Sequence, residues 1–313
     1  MRFRNVINDG SASAPRLRMQ QSIWALSHLP INAQEWALAE KLDKTTAAGF
    51  LGIEAYCPDD QSADQVAGPI HERNLPLGMI VPAADLDELL PAIERAHRVR
   101  AEYLCAHVTG SLKASPQIAD ILEEMYDVTN DAGLPLLIET HRGTVTQDMR
   151  RTVKVINRFK KIRFMGDFSH YAVAGELKTA WSEDVWDHFS HIARRCSAWH
   201  GRISFGQQIQ NDIGDGSGEL PQQFKKLWTM GMSAWLAKAQ PGDVLPFTCE
   251  LGPAPYPVTD LAGREISDRW EQSLVIKRLA EEAWAEALAS LPPEEPPHVE
   301  VAVAASPVDV TVS

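Results

Sequence analysis

Four ionisable side chains stand at the carboxyl ends of four successive apolar segments of the chain. They are Glu139, Asp167, His200 and Glu250. A carboxylate that ends a buried segment must be hydrated, neutralised or bound, because an unpaired buried charge is costly. If the segments converge, the four groups would repel one another and lose hydration unless a cation lay between them. This ligand set suits Mn²⁺ first, then Co²⁺, Mg²⁺ or Zn²⁺. Each residue taken alone could instead cap a helix at the surface.

Eight short apolar segments recur along the chain and indicate buried strands. They are 22–26, 49–56, 75–81, 101–108, 134–139, 162–167, 199–205 and 245–250. The runs are continuous rather than alternating, which is typical of parallel strands buried on both faces. Helical patterns lie between most of them, and one of these opens with the capping residue Ser115. We therefore predict a (β/α)8 TIM barrel, in which the strand ends meet at one mouth. A doubly wound open sheet is the alternative, but no glycine-rich phosphate turn follows an early strand.

The sequence divides into three predicted parts. Residues 1–20 form an N-terminal extension, residues 21–290 the barrel, and residues 291–313 a proline-rich linker with a valine-rich extension. Valines alternate with a period of two after residue 298, which predicts a strand, although a flexible acidic tail fits equally well. An unpaired strand edge tends to find a partner. We therefore expect a homo-oligomer, or a small partner subunit that the tail contacts.

The composition excludes several classes of function. Thirty basic against 42 acidic residues give a formal net charge of −12, which disfavours binding to nucleic acid phosphates. No apolar run is long enough to span a membrane, and the basic N-terminus lacks the apolar core of a secretory signal. The four cysteines have no Cys-x-x-Cys spacing and are expected to be reduced, mostly buried thiols. We expect a cytoplasmic protein that acts on a small molecule.

Four motifs carry a family resemblance. In chain order they are LLIETHRGT, GDFSHYAVAGE, HGRISFGQQIQ and FTCELGPAPY. As an ordered set they resemble the sugar-phosphate isomerase/epimerase superfamily, whose xylose-isomerase-like barrels include ketose 3-epimerases, inosose isomerases and inosose dehydratases. The resemblance extends over most of the predicted barrel. It implies one divalent metal ion bound by the four residues at the strand ends, with His170, the histidine of an Asp-x-x-His pattern, in contact with substrate.

The seventh-strand motif departs from the superfamily pattern. Relatives often have His-x-His there, whereas this chain has His200-Gly201-Arg202. His200 is therefore the least secure of the four ligands, and His191 is the alternative imidazole. Arg202 could clamp a substrate oxyanion or neutralise the acid-rich mouth.

Three further residues are candidate substrate contacts. His141 and Arg142, just past Glu139, could hold substrate hydroxyls or a carboxylate, or could be solvated loop residues. Glu54, near the end of the second predicted strand, could accept hydrogen bonds from sugar hydroxyls, and a helix-capping or ion-pair role is as well supported. The histidine at position 107, on the fourth predicted strand, is interpreted as structural.

The predicted activity is a metal-dependent isomerisation or epimerisation of a keto-sugar or polyol-derived substrate. A cation would stabilise the enediolate that forms when a carbon next to the carbonyl loses its proton. Glu139 and Glu250 could remove and return that proton. The alternative is a dehydratase or a lyase of 3-keto-glycosides, which uses the same enolate but expels a β-substituent. A non-catalytic partner subunit and an endonuclease-IV-like phosphodiesterase are the remaining, weaker interpretations.

Overall fold

The computed structural model describes residues 4–31 and 33–291. The predicted valine-rich extension therefore lies outside the described residues. Among the described residues, no helix is long and apolar enough to cross a membrane.

Eight parallel strands close into a barrel in sequence order, each paired with its neighbours and β1 with β8. The strands are β1 (Arg16–Ser22), β2 (Ile53–Tyr56), β3 (Leu77–Ala83), β4 (Tyr103–Val108), β5 (Leu136–Glu139), β6 (Phe164–Gly166), β7 (Cys196–Gly201) and β8 (Val244–Cys249). The predicted (β/α)8 TIM barrel is confirmed.

Helices surround the barrel and alternate with the strands. They are α1 (Leu38–Ala47), α2 (Asp60–Glu72), α3 (Leu86–Arg98), α4 (Ser115–Asp131), α5 (Met149–Arg158), α6 (Ser169–Ala174), α7 (Glu183–Ala193), α8 (Glu219–Leu236) and α9 (Arg269–Ala289). Aspartates cap several of them; the side chain of Asp268, for example, accepts a hydrogen bond from the Trp270 amide at the start of α9. Helix α4 begins one residue earlier than its pattern indicated, so that Ser115 is helical and Ala114 precedes it.

Two strand predictions were wrong in position. The segment 22–26 is not a strand: β1 ends at Ser22, and a short 3-10 helix follows at Trp24–Leu26. The predicted boundary between residues 20 and 21 therefore falls inside β1. Strand β7 begins at Cys196, three residues before the predicted 199–205, and ends at Gly201.

The first residues of the chain close the amino-terminal end of the barrel. Ile7 is 4% exposed and belongs to the apolar cluster inside the barrel, with side chains from β3 to β8 around it. The Asn5 side chain pairs with the backbone N–H and C=O of Leu136, at 2.7 and 2.9 Å. Arg4 makes two hydrogen bonds to the buried carboxylate of Asp243, at 3.0 and 2.8 Å. The interior of the barrel is thus filled with side chains at this end, and the opposite end holds the candidate site.

The four cysteines are all buried free thiols: Cys57, Cys105, Cys196 and Cys249. Burial raises the pKa of the Cys57 thiol to about 12 and raises the pKa of the other three thiols as well. Each is therefore protonated at neutral pH and behaves as a small apolar side chain.

Candidate metal centre

The ends of strands β5 to β8 bring four predicted ligands together at the carboxyl end of the barrel. Glu139 is the last residue of β5, Asp167 and Glu250 immediately follow β6 and β8, and His200 is the penultimate residue of β7. Each of them offers a ligand atom, and these atoms all lie within 4.8 Å of one another. All four side chains are buried. The alternative imidazole, His191, is exposed on α7, where its Nδ1 lies 2.9 Å from the backbone oxygen of Asp187.

Two buried polar atoms in this group have no hydrogen-bond partner within the described part of the chain: Glu139 Oε1 and His200 Nδ1. They lie 3.3 Å apart, and His200 Nδ1 lies 3.2 Å from Glu250 Oε2. Buried polar atoms without partners are rare in native proteins and call for an ion, a water or a ligand. A carboxylate set with one imidazole has the donor chemistry that a divalent cation requires. The residues present therefore fit a metal ion.

A second carboxylate fixes the orientation of the His200 ring. Glu54 Oε2 lies 2.6 Å from His200 Nε2, on the side of the ring away from the other ligands. Its other oxygen, Oε1, lies 2.9 Å from the hydroxyl of Tyr103. An N–H at Nε2 leaves the lone pair of Nδ1 directed at the ligand group, which is the usual arrangement of a metal-binding histidine. Glu54 is fully buried behind His200, and protein groups occupy both of its oxygens.

The charges of the cluster shift the pKa values of its members. Burial acts to lower the pKa of His200, but the carboxylates of Glu250, Glu54 and Glu139 outweigh it and raise that pKa well above its usual value. Burial acts to raise the pKa of Glu139, but His107 and His200 hold it well below its usual value. These shifts describe a metal-free cluster in which one imidazolium balances part of the negative charge.

Arg202 links two of the candidate ligands. Its Nε lies 3.2 Å from Asp167 Oδ2, and one terminal nitrogen lies 2.5 Å from Glu250 Oε2. The side chain is 2% exposed, and its other terminal nitrogen, Nη1, has no partner among the described residues. The guanidinium also lies over the ring of Tyr256, 4.8 Å from the ring centroid. Arg202 thus neutralises the mouth and retains one free donor.

Three histidine rings line the other side of Glu139. His107, on β4, hydrogen-bonds to Glu139 through Nε2. The His141 ring lies between those of His107 and His170, with centroid distances of 4.9 and 3.7 Å. His170, on the short helix α6, is 1% exposed, and neither ring nitrogen forms a hydrogen bond within the described residues; Nε2 lies 3.5 Å from Asp167 Oδ2. Burial lowers the pKa of His170 well below its usual value, helped by His141 and Arg202, so the ring is neutral.

Aromatic side chains form a wall beside the arginines. Trp24 and Tyr256 meet edge to face with a centroid distance of 5.0 Å. Arg142 also lies over the Tyr256 ring, 5.4 Å from its centroid. A Cβ added at Gly252 would lie 2.1 Å from the Trp24 ring, so glycine is needed there for the indole to pack against the backbone after β8. The proline-containing segment after Glu250 therefore supplies part of the site wall.

The structure brings all the predicted site residues to the same end of the barrel, with two changes of emphasis. Glu54 lies behind His200 rather than at the open mouth, which fits the ion-pair alternative. His107, interpreted as structural from the sequence, contacts the candidate ligand Glu139. His107 is the penultimate residue of β4, and this position could have indicated the contact, because the strand ends share one mouth.

No family model matches the chain, and no curated protein matches it. Solved structures do match it, at low sequence identity. A D-allulose 3-epimerase from Methylomonas sp., in complex with D-allulose, has a TM-score of 0.54 and 13% identity, covering 89% of this chain and 98% of that one. A xylose isomerase-like TIM barrel protein from Mycobacterium smegmatis, in complex with magnesium, has a TM-score of 0.55 and 10% identity, covering 89% and 98%. A family 2 AP endonuclease from Brucella melitensis has a TM-score of 0.50 and 17% identity, covering 77% and 94%.

These similarities show the fold. The chain has a closed (β/α)8 barrel similar to the barrels of these proteins, and the motif resemblance implied such a barrel.

Proposed function

We propose that this protein is a divalent-metal-dependent isomerase or epimerase of a keto-sugar or a related polyol-derived substrate. The observation that carries the proposal is the buried group of Glu139, Asp167, His200 and Glu250, with ligand atoms within 4.8 Å of one another. The similarity to a fold used by a D-allulose 3-epimerase supports it. The magnesium in the M. smegmatis structure belongs to a protein with the same fold; for this chain we propose Mn²⁺ first.

The four residues would hold the ion, and Glu54 would hold His200 in the tautomer that binds it. When bound, a divalent cation polarises a substrate carbonyl and stabilises negative charge on the oxygens next to the reacting carbon. Arg202 would keep Asp167 and Glu250 in place through its two hydrogen bonds. Its free Nη1 is then available for a substrate oxygen.

Proton transfer is assigned to Glu139 and Glu250. Glu139 reaches the cluster from the end of β5, and Glu250 from the segment after β8. Strands β5 and β8 are not neighbours in the barrel. Histidine and arginine neighbours lower the pKa of both carboxyls, against the effect of burial, so both are ionised and able to accept a proton. One carboxylate would remove a proton from the carbon next to the carbonyl and later release it to solvent. The other would take up a proton from solvent and deliver it to the opposite face of that carbon.

The neutral ring of His170 would orient the substrate. Neither of its nitrogens forms a hydrogen bond within the described residues, so one can donate to a substrate oxygen while the other accepts from a hydroxyl. His141 packs on its face at a centroid distance of 3.7 Å and Arg142 follows in the chain, so we assign both to the substrate pocket.

The neutral His170 ring with its free N–H also favours a second candidate function, elimination from a keto-sugar or a 3-keto-glycoside. A neutral imidazole with a free N–H can donate a hydrogen bond to the oxygen of a departing β-substituent. The proton that this oxygen takes up would come from the carboxylic acid formed when Glu139 or Glu250 removes the proton from carbon. The two candidates share proton removal and differ in the next step: the proton returns to carbon in epimerisation, and a C–O or C–C bond breaks in elimination.

Metal analysis of the purified protein, followed by reaction with ketoses and 3-keto-glycosides in D₂O, tests the proposal. We expect about one divalent ion per chain and, for an epimerase, a product of unchanged skeleton with deuterium at the epimerised carbon. Loss of water or of an aglycone would identify the lyase instead. Protein without stoichiometric metal and without activity after reconstitution would contradict both candidates. An epimer formed without solvent deuterium would contradict the roles of Glu139 and Glu250.

A further inference from the structure

A cavity of about 1080 Å³ opens at the amino-terminal end of the barrel, opposite the candidate metal centre. Its walls come from the first described residues, the end of α4, the segment before β6, the start of β7 and the end of α8. Its volume is that of a large ligand site. Nothing in the proposed activity uses this cavity.

Positive charge predominates in the lining. Six Lys and Arg residues contribute to it, against three aspartates: Arg4, Lys160, Lys161, Arg163, Arg194 and Lys238, with Asp127, Asp131 and Asp243. Arg4 and Asp243 pair with each other. The other five Lys and Arg residues of the lining form no salt bridge with any residue that the structure describes. This local excess stands out in a chain whose net charge is −12.

Arg163 is the most enclosed of these cations. It is half-buried against Tyr126, and its guanidinium donates to the backbone oxygen of Ile162 at 3.0 Å. Burial lowers the pKa of Arg163, and the like charges of Arg195 and Arg4 act in the same direction. The Arg163 guanidinium forms no salt bridge with a carboxylate of the described residues.

The chain leaves the described structure next to this cavity. Helix α9 packs along α8, with the rings of Trp284 and Trp235 6.0 Å apart. At the ends of these helices the hydroxyls of Ser290 and Ser233 lie 3.2 Å apart. Trp235 and Lys238 line the cavity. The segment that begins at residue 292 therefore starts within a few residues' reach of the cavity wall.

The composition of residues 292–313 complements the cavity. The segment has no lysine or arginine and four acidic residues, at 294, 295, 300 and 309. Alternating valines from 299 onward add apolar side chains, and the cavity lining includes the aromatic residues Trp235 and Tyr126. At about 3 Å per residue in extended form, 22 residues are several times longer than the cavity. Its prolines stiffen the first part, which reduces the entropy lost on docking.

We propose that the acidic C-terminal segment, residues 292–313, docks in the basic cavity of its own chain. Its carboxylates pair with Lys160, Lys161, Arg194 and Lys238, and its valines pack on Trp235. The occupant is the same chain rather than a second copy, because the segment begins at the edge of the cavity of its own barrel.

Zero-length carbodiimide cross-linking of the full chain tests this directly, because it joins a lysine amine only to a carboxylate already in contact. Tryptic cleavage after Arg278 leaves residues 279–313 as one peptide. That peptide contains an internal positive control, since Glu286 pairs with Lys225 at 2.8 Å. We expect links from Lys160, Lys161 or Lys238 to acids of residues 292–313, suppressed in 1 M NaCl, where charge interactions are screened within about 3 Å.

A mixture of unlabelled and ¹⁵N-labelled protein distinguishes the occupants. Links within one isotope support docking in the same chain, whereas abundant mixed-isotope links would assign the cavity to a second copy and overturn the proposal. The double variant Lys161→Gln/Arg194→Gln should reduce the links at Lys160 and Lys238 several-fold without removing those amines. The matched control is Lys178→Gln/Arg150→Gln, two exposed cations outside the cavity. Equal losses in both variants, or no tail links while the Lys225–Glu286 link forms, would also overturn it.

Discussion

The imidazole of His200 divides two tasks between its two nitrogens. Nε2 faces Glu54 at 2.6 Å, and Nδ1 faces Glu139 and Glu250 at 3.3 and 3.2 Å. The hydrogen bond on one side decides which nitrogen carries the proton and therefore which lone pair remains for a ligand. Glu54, which would touch neither metal nor substrate, can in this way control whether His200 is able to bind the metal ion.

Glu54→Gln should weaken Mn²⁺ binding about 10- to 100-fold, the range typical for loss of such a partner. A glutamine amide can donate to Nε2, which would move the imidazole proton to Nδ1 and block the lone pair that faces the other ligands. Competition with a chelator measures the change in Kd. The control is Glu40→Gln, an exposed carboxylate on α1, which should bind Mn²⁺ as the wild type does. Equal affinity in Glu54→Gln and wild type would contradict the positioning role.

Glu139→Gln and His170→Gln should separate metal binding from turnover. Glu139 supplies an unpartnered oxygen to the ligand group, so its variant should lose both ion and activity. His170 is assigned to the substrate, so its variant should keep about one ion per chain and turn over more slowly. Elemental analysis alongside product formation gives both readouts. Equal metal loss in the two variants would refute this division of roles.

At the scale of elements, most of the barrel was predictable because its strands are continuous apolar runs. Strand β1 was not predictable in this way, because its sequence, RLRMQQS over Arg16–Ser22, is mostly polar. Its polar residues from Arg18 onward are buried, and Gln20 belongs to a polar layer inside the barrel. Gln20 Oε1 lies 2.8 Å from the hydroxyl of Tyr103 and 3.2 Å from that of Thr248. Hydropathy favoured the neighbouring apolar run, which forms a 3-10 helix.

The site was predictable to a similar extent and for a related reason. The four ligand candidates end strands, so the fold alone brings them together. The contact of His107 with Glu139 and that of Glu54 with His200 depend on the register between β2, β4, β5 and β7, and on side-chain direction. Register is specified by the alternation of apolar and polar residues, and strands that are continuous apolar runs do not show that alternation.

Helix α8 approaches β7 through a glycine. A Cβ at Gly231 would lie 2.1 Å from the buried ring of Trp199. Gly231→Ala should therefore destabilise the protein by about 1 to 3 kcal/mol, the usual cost of overpacking, despite the better helix propensity of alanine. Gly68→Ala in α2 is the matched control, since a Cβ there meets nothing within 4 Å, and it should be neutral or stabilising. Denaturant unfolding measures both, and a stabilised Gly231→Ala would contradict the close approach.

At the scale of the whole molecule, the first residues of the chain belong to the folded unit. The backbone of Ile7 accepts a hydrogen bond from the Val244 amide at 2.9 Å, and its side chain fills the amino-terminal end of the barrel. The interior cluster that Ile7 completes extends across six strands. Loss of the Ile7 side chain should therefore destabilise the whole barrel.

Ile7→Ala should lower the free energy of unfolding by about 2 to 5 kcal/mol, because the truncation leaves a cavity in a closed interior. Ile266→Ala is the control: that side chain is 60% exposed and its truncation should change little. Urea unfolding of both variants gives the comparison. Similar stabilities would show that the N-terminal segment is dispensable for the fold.

The thiol chemistry of the chain has a practical consequence. All four native cysteines are buried and protonated, so a maleimide reagent in water has no exposed native thiolate to attack. A single cysteine introduced at an exposed position, such as Lys178→Cys, would then be the one site that a fluorophore or spin label reaches. With a second cysteine introduced into residues 292–313, the distance between the two labels could be measured on a protein whose interior is chemically unaltered.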